Sequence, residues 1–158
     1  MKTINLEQIH IIDSNYMQKI NAILQIEKEL NLHITSKASI ISELNNNYYH
    51  YIIAKKNNII VGYISIFYMF DTMDLISIVV KKDFQKKGLA SFLLEHIFNI
   101  AKKNDVKKIL LEVRVSNIAA INLYLKYGFK KIHLRKSYYD NGEDALIFQK
   151  RINLTHLK

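Results

Sequence analysis

Polar and apolar residues change period repeatedly along this chain, and each period predicts an element. TINLEQIHII, Thr3 to Ile12, is β-prone and predicts a first strand. Between Tyr16 and Leu30 the apolar residues Ile20, Ile23, Leu24 and Leu30 share one face at helical spacing, which predicts an amphipathic helix. Asp13 or Ser14 can cap it and Asn31 can stop it. A shorter helix follows from Lys37 to Leu44, with Ser36 as its cap. Tyr49–Lys55 and Ile59–Met69 are rich in β-branched and aromatic residues and are separated by Lys56, Asn57 and Asn58, a hairpin signal because Asn tolerates φ > 0. Gly62 inside the second of these strands marks a bulge or a close backbone approach.

Asp71 to Asp74 reads as a turn into a strand from Leu75 to Val80, which is apolar at every position from Ile78 and so predicts a central strand covered on both faces. After Gly88, the residues Leu89, Phe92, Leu93, Ile97, Ile100 and Ala101 recur at helical spacing as far as about Lys103. KKILLEVRV, Lys107 to Val115, predicts another central strand. Asn117 can cap a helix from Ile118 to Tyr127 that Gly128 ends, and Phe129–Tyr138 with Asp144–Ile152 form a last antiparallel pair around Asp140, Asn141 and Gly142. The predicted order is β, α, α, β, β, β, α, β, α, β, β, with no internal repeat or linker, so residues 1–158 are expected to be a single domain.

Composition narrows the function classes. At 49% apolar residues the chain is globular. No apolar run approaches the roughly 18 to 20 residues of a membrane span, and MKTINLEQIH lacks the apolar core of a signal peptide, so a cytoplasmic protein without a membrane role is expected. With no cysteine the chain has no thiolate nucleophile, no disulfide and no cysteine metal site, and no metal is expected. The formal charge of +9 favours an anionic ligand, but the lysines are spread along the chain, so charge permits such a partner without specifying one.

Candidate chemistry lies in four places. Between the strand ISIVV and the helix FLLEHIFNIA runs KKDFQKKGLAS, in which Gln85, Gly88 and Ala90 leave backbone N–H groups uncovered where a helix begins. A phosphate can take those donors, and Lys81, Lys82, Lys86 and Lys87 add positive charge. Glu112 is a carboxylate within ILLEVRV, on a strand read as covered; burying it unpaired would cost several kcal/mol, which makes it either a general base or one half of an ion pair with Arg114, two residues along on the same face. Tyr124 stands two helical turns after Asn117. Ile118, Ile121 and Leu125 form one stripe of that helix and Ala120, Tyr124 and Tyr127 another, so Tyr124 is either a core residue with its hydroxyl at the rim or a proton donor. His33, in the loop NLHITS, is solvated or catalytic by the same reasoning.

These residues together resemble the GNAT superfamily of N-acetyltransferases. ISIVV followed by QKKGLA is similar to its acetyl-coenzyme A motif, with Gln85, Gly88 and Ala90 at the signature positions. LLEVRVSNIAAINLYLKYGFKK and SYYDNGEDALIF resemble the bacterial RimI branch, alanine N-acetyltransferases of a small-subunit ribosomal protein. The resemblance is dense from about Leu75 to Phe148. It implies an α/β fold of the α+β type, a mixed sheet of about seven strands with about four helices. It makes Glu112 the proton acceptor and Tyr124 the proton donor. Ile78, Val79 and Val80 would meet the acetyl and pantetheine part of acetyl-coenzyme A, and Gln85, Lys86, Lys87, Gly88, Leu89, Ala90 and Ser91 its pyrophosphate. Asn117 would lie near the thioester, and Tyr138 and Tyr139 would line the peptide groove. The branch's Pro-Trp before the second helix has no counterpart in NLHITS. The implied enzyme acetylates the N-terminus of a ribosomal protein directly; a monomer with no metal and no nucleic-acid role is expected. The alternatives are a GNAT enzyme acting on a small-molecule amine and a non-catalytic RNA- or ribosome-binding module.

Overall fold

In the computed structural model, which describes residues 4–153, the periods resolve into elements in the predicted order. The chain runs β1 (Ile4–Gln8), α1 (Tyr16–Glu29), α2 (Lys37–Leu44), β2 (Tyr49–Lys56), β3 (Ile59–Met69), β4 (Thr72–Val80), a 3-10 turn (Lys82–Phe84), α3 (Leu89–Lys103), β5 (Lys108–Arg114), α4 (Ile118–Lys126), β6 (Lys130–Arg135) and β7 (Ala145–Arg151). Thr3, at the head of the expected first strand, lies outside the described residues. The strands make one seven-stranded sheet in the order β1-β2-β3-β4-β5-β7-β6. β4 and β5 are parallel, in register from Thr72–Lys108 to Leu75–Leu111, while β5–β7 and β6–β7 are antiparallel. A parallel neighbour needs a crossover, and α3 supplies it. This is the mixed α/β architecture that the sequence led us to expect.

The described residues group into two compact units, one made of residues 4–67 and Ser77–His96, the other of Tyr68–Ile76 and residues 97–153. In the first, the α1 stripe of Ile20, Ile23 and Ile26 packs with Ile40 of α2, Tyr51 and Ile53 of β2 and Tyr63 of β3. Ser36 caps α2 by accepting from the Ser39 N–H at 3.1 Å, and Asn31, at φ 58°, stops α1. Asp13 does not cap α1. The cap position is Asn15, without a side-chain bond, because Asp13 is engaged by Lys19, a buried cation that it neutralises together with Glu7. Asn57 and Asn58, at φ 50° and 63°, make the hairpin turn between β2 and β3.

Gly62 shows both features expected of it. The β2–β3 register shifts at Ala54/Lys55, opposite Gly62, and a Cβ at residue 62 would lie 2.8 Å from the Val79 carbonyl oxygen. β4 begins three residues before the expected Leu75, at Thr72. Its turn shrinks to Phe70 and Asp71, with Phe70 at φ 57°, because burying Met73 and Leu75 on one face extends the strand pattern back through Asp74. Nor is β4 covered throughout, since Ile76 is 47% exposed.

In the second unit, α4 buries Tyr124, half-buries Ala120 and Tyr127 of the same stripe, and leaves Ile118 and Leu125 largely exposed. The Tyr124 ring sits edge-on to Phe129 at 5.6 Å and tilted against Phe148 at 6.4 Å. Gly128, at φ 80°, ends the helix. β6 stops at Arg135 and not at Tyr138. Ser137, at φ 50°, turns the chain out of the strand, and Tyr138 and Tyr139 both donate main-chain N–H to the Glu143 carbonyl at 3.1 Å.

The approach at Gly62 is a testable constraint. Gly62→Ala sets a methyl group against a main-chain oxygen that cannot swing aside, and the strain should remove about 1–3 kcal/mol of stability. A lower urea midpoint with an unchanged m-value is the expected result.

Candidate active site

The first unit contains the turn at which the anion cradle is expected. The Gln85 side-chain amide donates to the Val80 carbonyl at 3.0 Å, bracing the turn that follows β4. Lys86 at φ 57° and Gly88 at φ 82° then reverse the chain into α3. The first main-chain bond of the helix runs from Phe92 N–H to Gly88 O at 3.0 Å. The N–H groups of Leu89, Ala90 and Ser91 precede it and have no partner within the helix. Leu89 is buried, whereas Gln85, Lys86, Lys87 and Gly88 are exposed, so the turn is anchored from beneath and open above. Two of the lysines are engaged: Lys81 lies 3.7 Å from Glu29, and Lys87 donates to the Asp83 carbonyl at 2.8 Å. Lys82 and Lys86 are exposed. Residues Ile78, Val79 and Val80 form the end of β4 that leads into this turn. His33 is exposed in the loop between α1 and α2.

The second unit carries the acid and base candidates. Alternation along β5 turns Ile109, Leu111 and Val113 into the core and Glu112 outward, with its side chain 35% exposed. The burial expected of Glu112 is therefore absent, because β5 is covered on one face only. Glu112 lines a groove of about 400 Å³ with Asp74, Ile76, Leu110, Arg135 and Ile147. Its ion-pair partner is Arg135, Nη1 to Oε1 at 2.7 Å, and not Arg114. Arg114 turns away to Glu143 at 3.1 Å and stacks on the Tyr139 ring at 3.7 Å. Bonds from Ser116 and then Arg114 hold Glu143 down at about 2.

Two tyrosines meet these charges. The Tyr138 hydroxyl is hydrogen-bonded to Glu112, which raises its pKa above the ordinary value, and Arg135 lies 5.4 Å from the centre of its ring. The Tyr139 ring stands edge-on to Tyr138 at 5.1 Å. Tyr124 is 5% exposed, and burial raises its pKa, with a smaller contribution from Tyr139. Its hydroxyl therefore keeps its proton at neutral pH. Asn117 caps α4, its Oδ1 accepting from the Ala120 N–H at 3.2 Å.

The sequence reading passed over Asp74 and Arg135. Asp74 is half-buried in the same groove, and its pKa is raised first by burial and then by the Glu112 charge. Asp74 was visible as the charged member of the Thr72, Asp74, Ile76 face opposite Met73 and Leu75, but the second aspartate of Asp-Thr-Met-Asp reads as a turn residue. Arg135 offers no local signal, because its partner lies two strands away in the sheet. Among the described residues, no group of three or more His, Cys, Asp and Glu side chains could hold a metal ion, and no helix is long and apolar enough to cross a membrane.

Comparison with known proteins fits this geometry. The acetyltransferase (GNAT) family matches residues 17–129. A Bacillus subtilis protein, provisionally named as a ribosomal protein bS18-alanine N-acetyltransferase, is 34% identical over 139 residues, 87% of this chain and 92% of that one. The Escherichia coli ribosomal protein bS18-alanine N-acetyltransferase is 40% identical over 89 residues, 54% of this chain and 60% of the relative. The crystal structure of the Escherichia coli enzyme superposes with a TM-score of 0.83 at 28% identity, covering 95% of this chain and 94% of that one. The chain is an acyltransferase belonging to the acetyltransferase (GNAT) family.

Proposed function

We propose that this protein is an acetyl-coenzyme A dependent Nα-acetyltransferase whose acceptor is the N-terminal alanine of a small-subunit ribosomal protein, modified in the cytoplasm by a single chain. The observation that carries this reading is the pair of proton-handling groups on the second unit: a carboxylate facing an open groove and a buried tyrosine that keeps its proton. The ribosomal acceptor rests on the likeness to the Bacillus subtilis and Escherichia coli proteins.

Acetyl-coenzyme A supplies an acyl group already activated as a thioester. The cradle suits its diphosphate, because the first N–H groups of α3 lack helical partners and Lys82 and Lys86 are exposed nearby in sequence. In this reading Leu89, Ala90 and Ser91 give their N–H groups to the diphosphate, together with the turn from Gln85 through Lys86, Lys87 and Gly88. The main chain of Ile78, Val79 and Val80 holds the pantetheine arm as a strand holds an added neighbour, and an N–H near Val79 binds the acyl oxygen. Asn117 contacts the cofactor close to its reactive end.

The acceptor's α-ammonium, with a pKa of about 7.7–8.0, must lose a proton before it can attack. Glu112 takes that proton, directly or through water. Arg135 occupies one of its oxygens, and the carboxylate has further lone pairs to offer. Asp74, whose raised pKa favours the protonated form, can orient the water or the amine. Tyr124 gives its proton to the departing sulfur. Tyr138 and Tyr139 flank the extended acceptor, and the loop between α1 and α2 contacts its first residues. Most of the acceleration comes from positioning.

Glu112→Gln should lower kcat on the order of 10²-fold or more with the fold retained, and Tyr124→Phe should lower it with little change in Tm. Loss of stability with normal turnover in the folded fraction would instead make the Glu112–Arg135 pair structural.

The acceptor is tested by competition. A peptide with a free N-terminal alanine, matching the mature ribosomal protein, should show kcat/KM at least about tenfold above spermidine or an aminoglycoside, roughly 1.4 kcal/mol in transition-state binding. Tyr139→Ala should erode that preference more than it erodes cofactor affinity. Equal or faster reaction of the small amines would remove the ribosomal acceptor and leave the acetyl transfer standing.

A further inference from the structure

The first unit buries a carboxylate that none of this chemistry uses. Glu27 of α1 is 2% exposed. The Tyr63 hydroxyl of β3 donates to its Oε1 at 2.5 Å, and the main-chain N–H groups of Ile34 and Thr35 donate to its Oε2 at 3.2 and 3.3 Å. Among the described residues no lysine or arginine forms an ion pair with it. An apolar side chain of similar volume would fill this part of the core at lower cost. What it could not do is hold Ile34 and Thr35, which belong to the loop between α1 and α2.

A second tyrosine–glutamate pair holds the same loop. The Tyr51 hydroxyl of β2 donates to Glu43 of α2 at 2.5 Å and also meets the Thr35 hydroxyl. The Tyr51 and Tyr63 rings stack with centres 6.1 Å apart. Tyr63 further reaches Ser77 of β4, whose hydroxyl lies 2.6 Å from that of Ser65. The loop is thus tied through buried and half-buried side chains to α1, α2, β2 and β3, and beyond them to the residue preceding Ile78.

We infer that Glu27 and Tyr63 are positioning residues for the acceptor: they fix the Ile34–Thr35 main chain so that an incoming N-terminus meets a preformed surface. This rests on the peptide-acceptor reading above. A loop already ordered spares the complex the entropy of ordering it on encounter, so the effect falls on acceptor binding more than on the chemical step.

Tyr63→Phe removes one oxygen and keeps the ring, and Glu27→Gln keeps the shape and replaces an acceptor with a donor. In both, hydrogen exchange at the Ile34 and Thr35 amides should quicken about tenfold or more. KM for the alanine-first peptide should rise at least about fivefold, with kcat and the acetyl-coenzyme A Kd within about twofold of wild type. Unchanged exchange and unchanged peptide KM in folded variants would overturn the inference. Equal loss of peptide and cofactor binding would do the same, as would failure of both variants to fold, since either makes the network a device of core stability. If the wild-type enzyme prefers small amines, the acceptor reading fails on its own, and the positioning role is then scored by exchange and by the KM of the preferred amine.

Discussion

An α-helix leaves its first N–H groups without helical partners, and the first unit is arranged around where those of α3 end up. Between Val80 and Leu89 the chain gives up strand pairing, makes one 3-10 turn and enters α3 through residues in the left-handed region. Gly88 adopts that conformation at little cost, but Lys86 does so against a penalty of about 1–2 kcal/mol. The surroundings enforce it: the Gln85 amide ties the turn back to Val80, and Leu89 is sunk in the core. Main-chain donors held at a surface by such means favour an anion over water, because their orientation is set before any ligand arrives.

The second unit solves a different problem, that of keeping a carboxylate available among cations. Arg114 and Arg135 both serve the sheet face that bears Glu112, and each is committed. Glu143, fixed by Ser116, draws Arg114 away and stacks it on Tyr139. Only Arg135 is left to meet Glu112, on one oxygen. The β6–β7 connection therefore acts on Glu112 twice, by placing Tyr138 on its carboxylate and by drawing Arg114 away from it.

What could be read from the residues alone depended on how local the physics was. Ser36, Asn57, Asn58, Asn117 and Gly128 act on their own main chain or on neighbours a few residues away, and each does what its residue type suggests. The Gln85, Gly88, Ala90 spacing is local in the same sense, and the family assignment built on it agrees with the matched residues 17–129. Glu112 was legible as an unusual residue, but its exposure was not, since an apolar run does not reveal that one face of its strand stays open. Arg135, Lys19 and Glu27 were illegible because their partners are far away in sequence or are main-chain groups of a loop. Tyr138 was placed at the end of a strand on composition, whereas a left-handed serine ahead of it decided otherwise.

The contact at Gly62 bears on how this chain can change over time. Every other amino acid begins with the same Cβ, so no substitution at residue 62 avoids the Val79 oxygen, whatever its polarity or size. Surface lysines in a Lys- and Asn-rich chain are free to drift with the base composition of the genome, and much of the +9 charge can come and go in that way. Residue 62 has no such freedom. A gene under strong compositional pressure should hold a glycine codon there while its neighbours turn over.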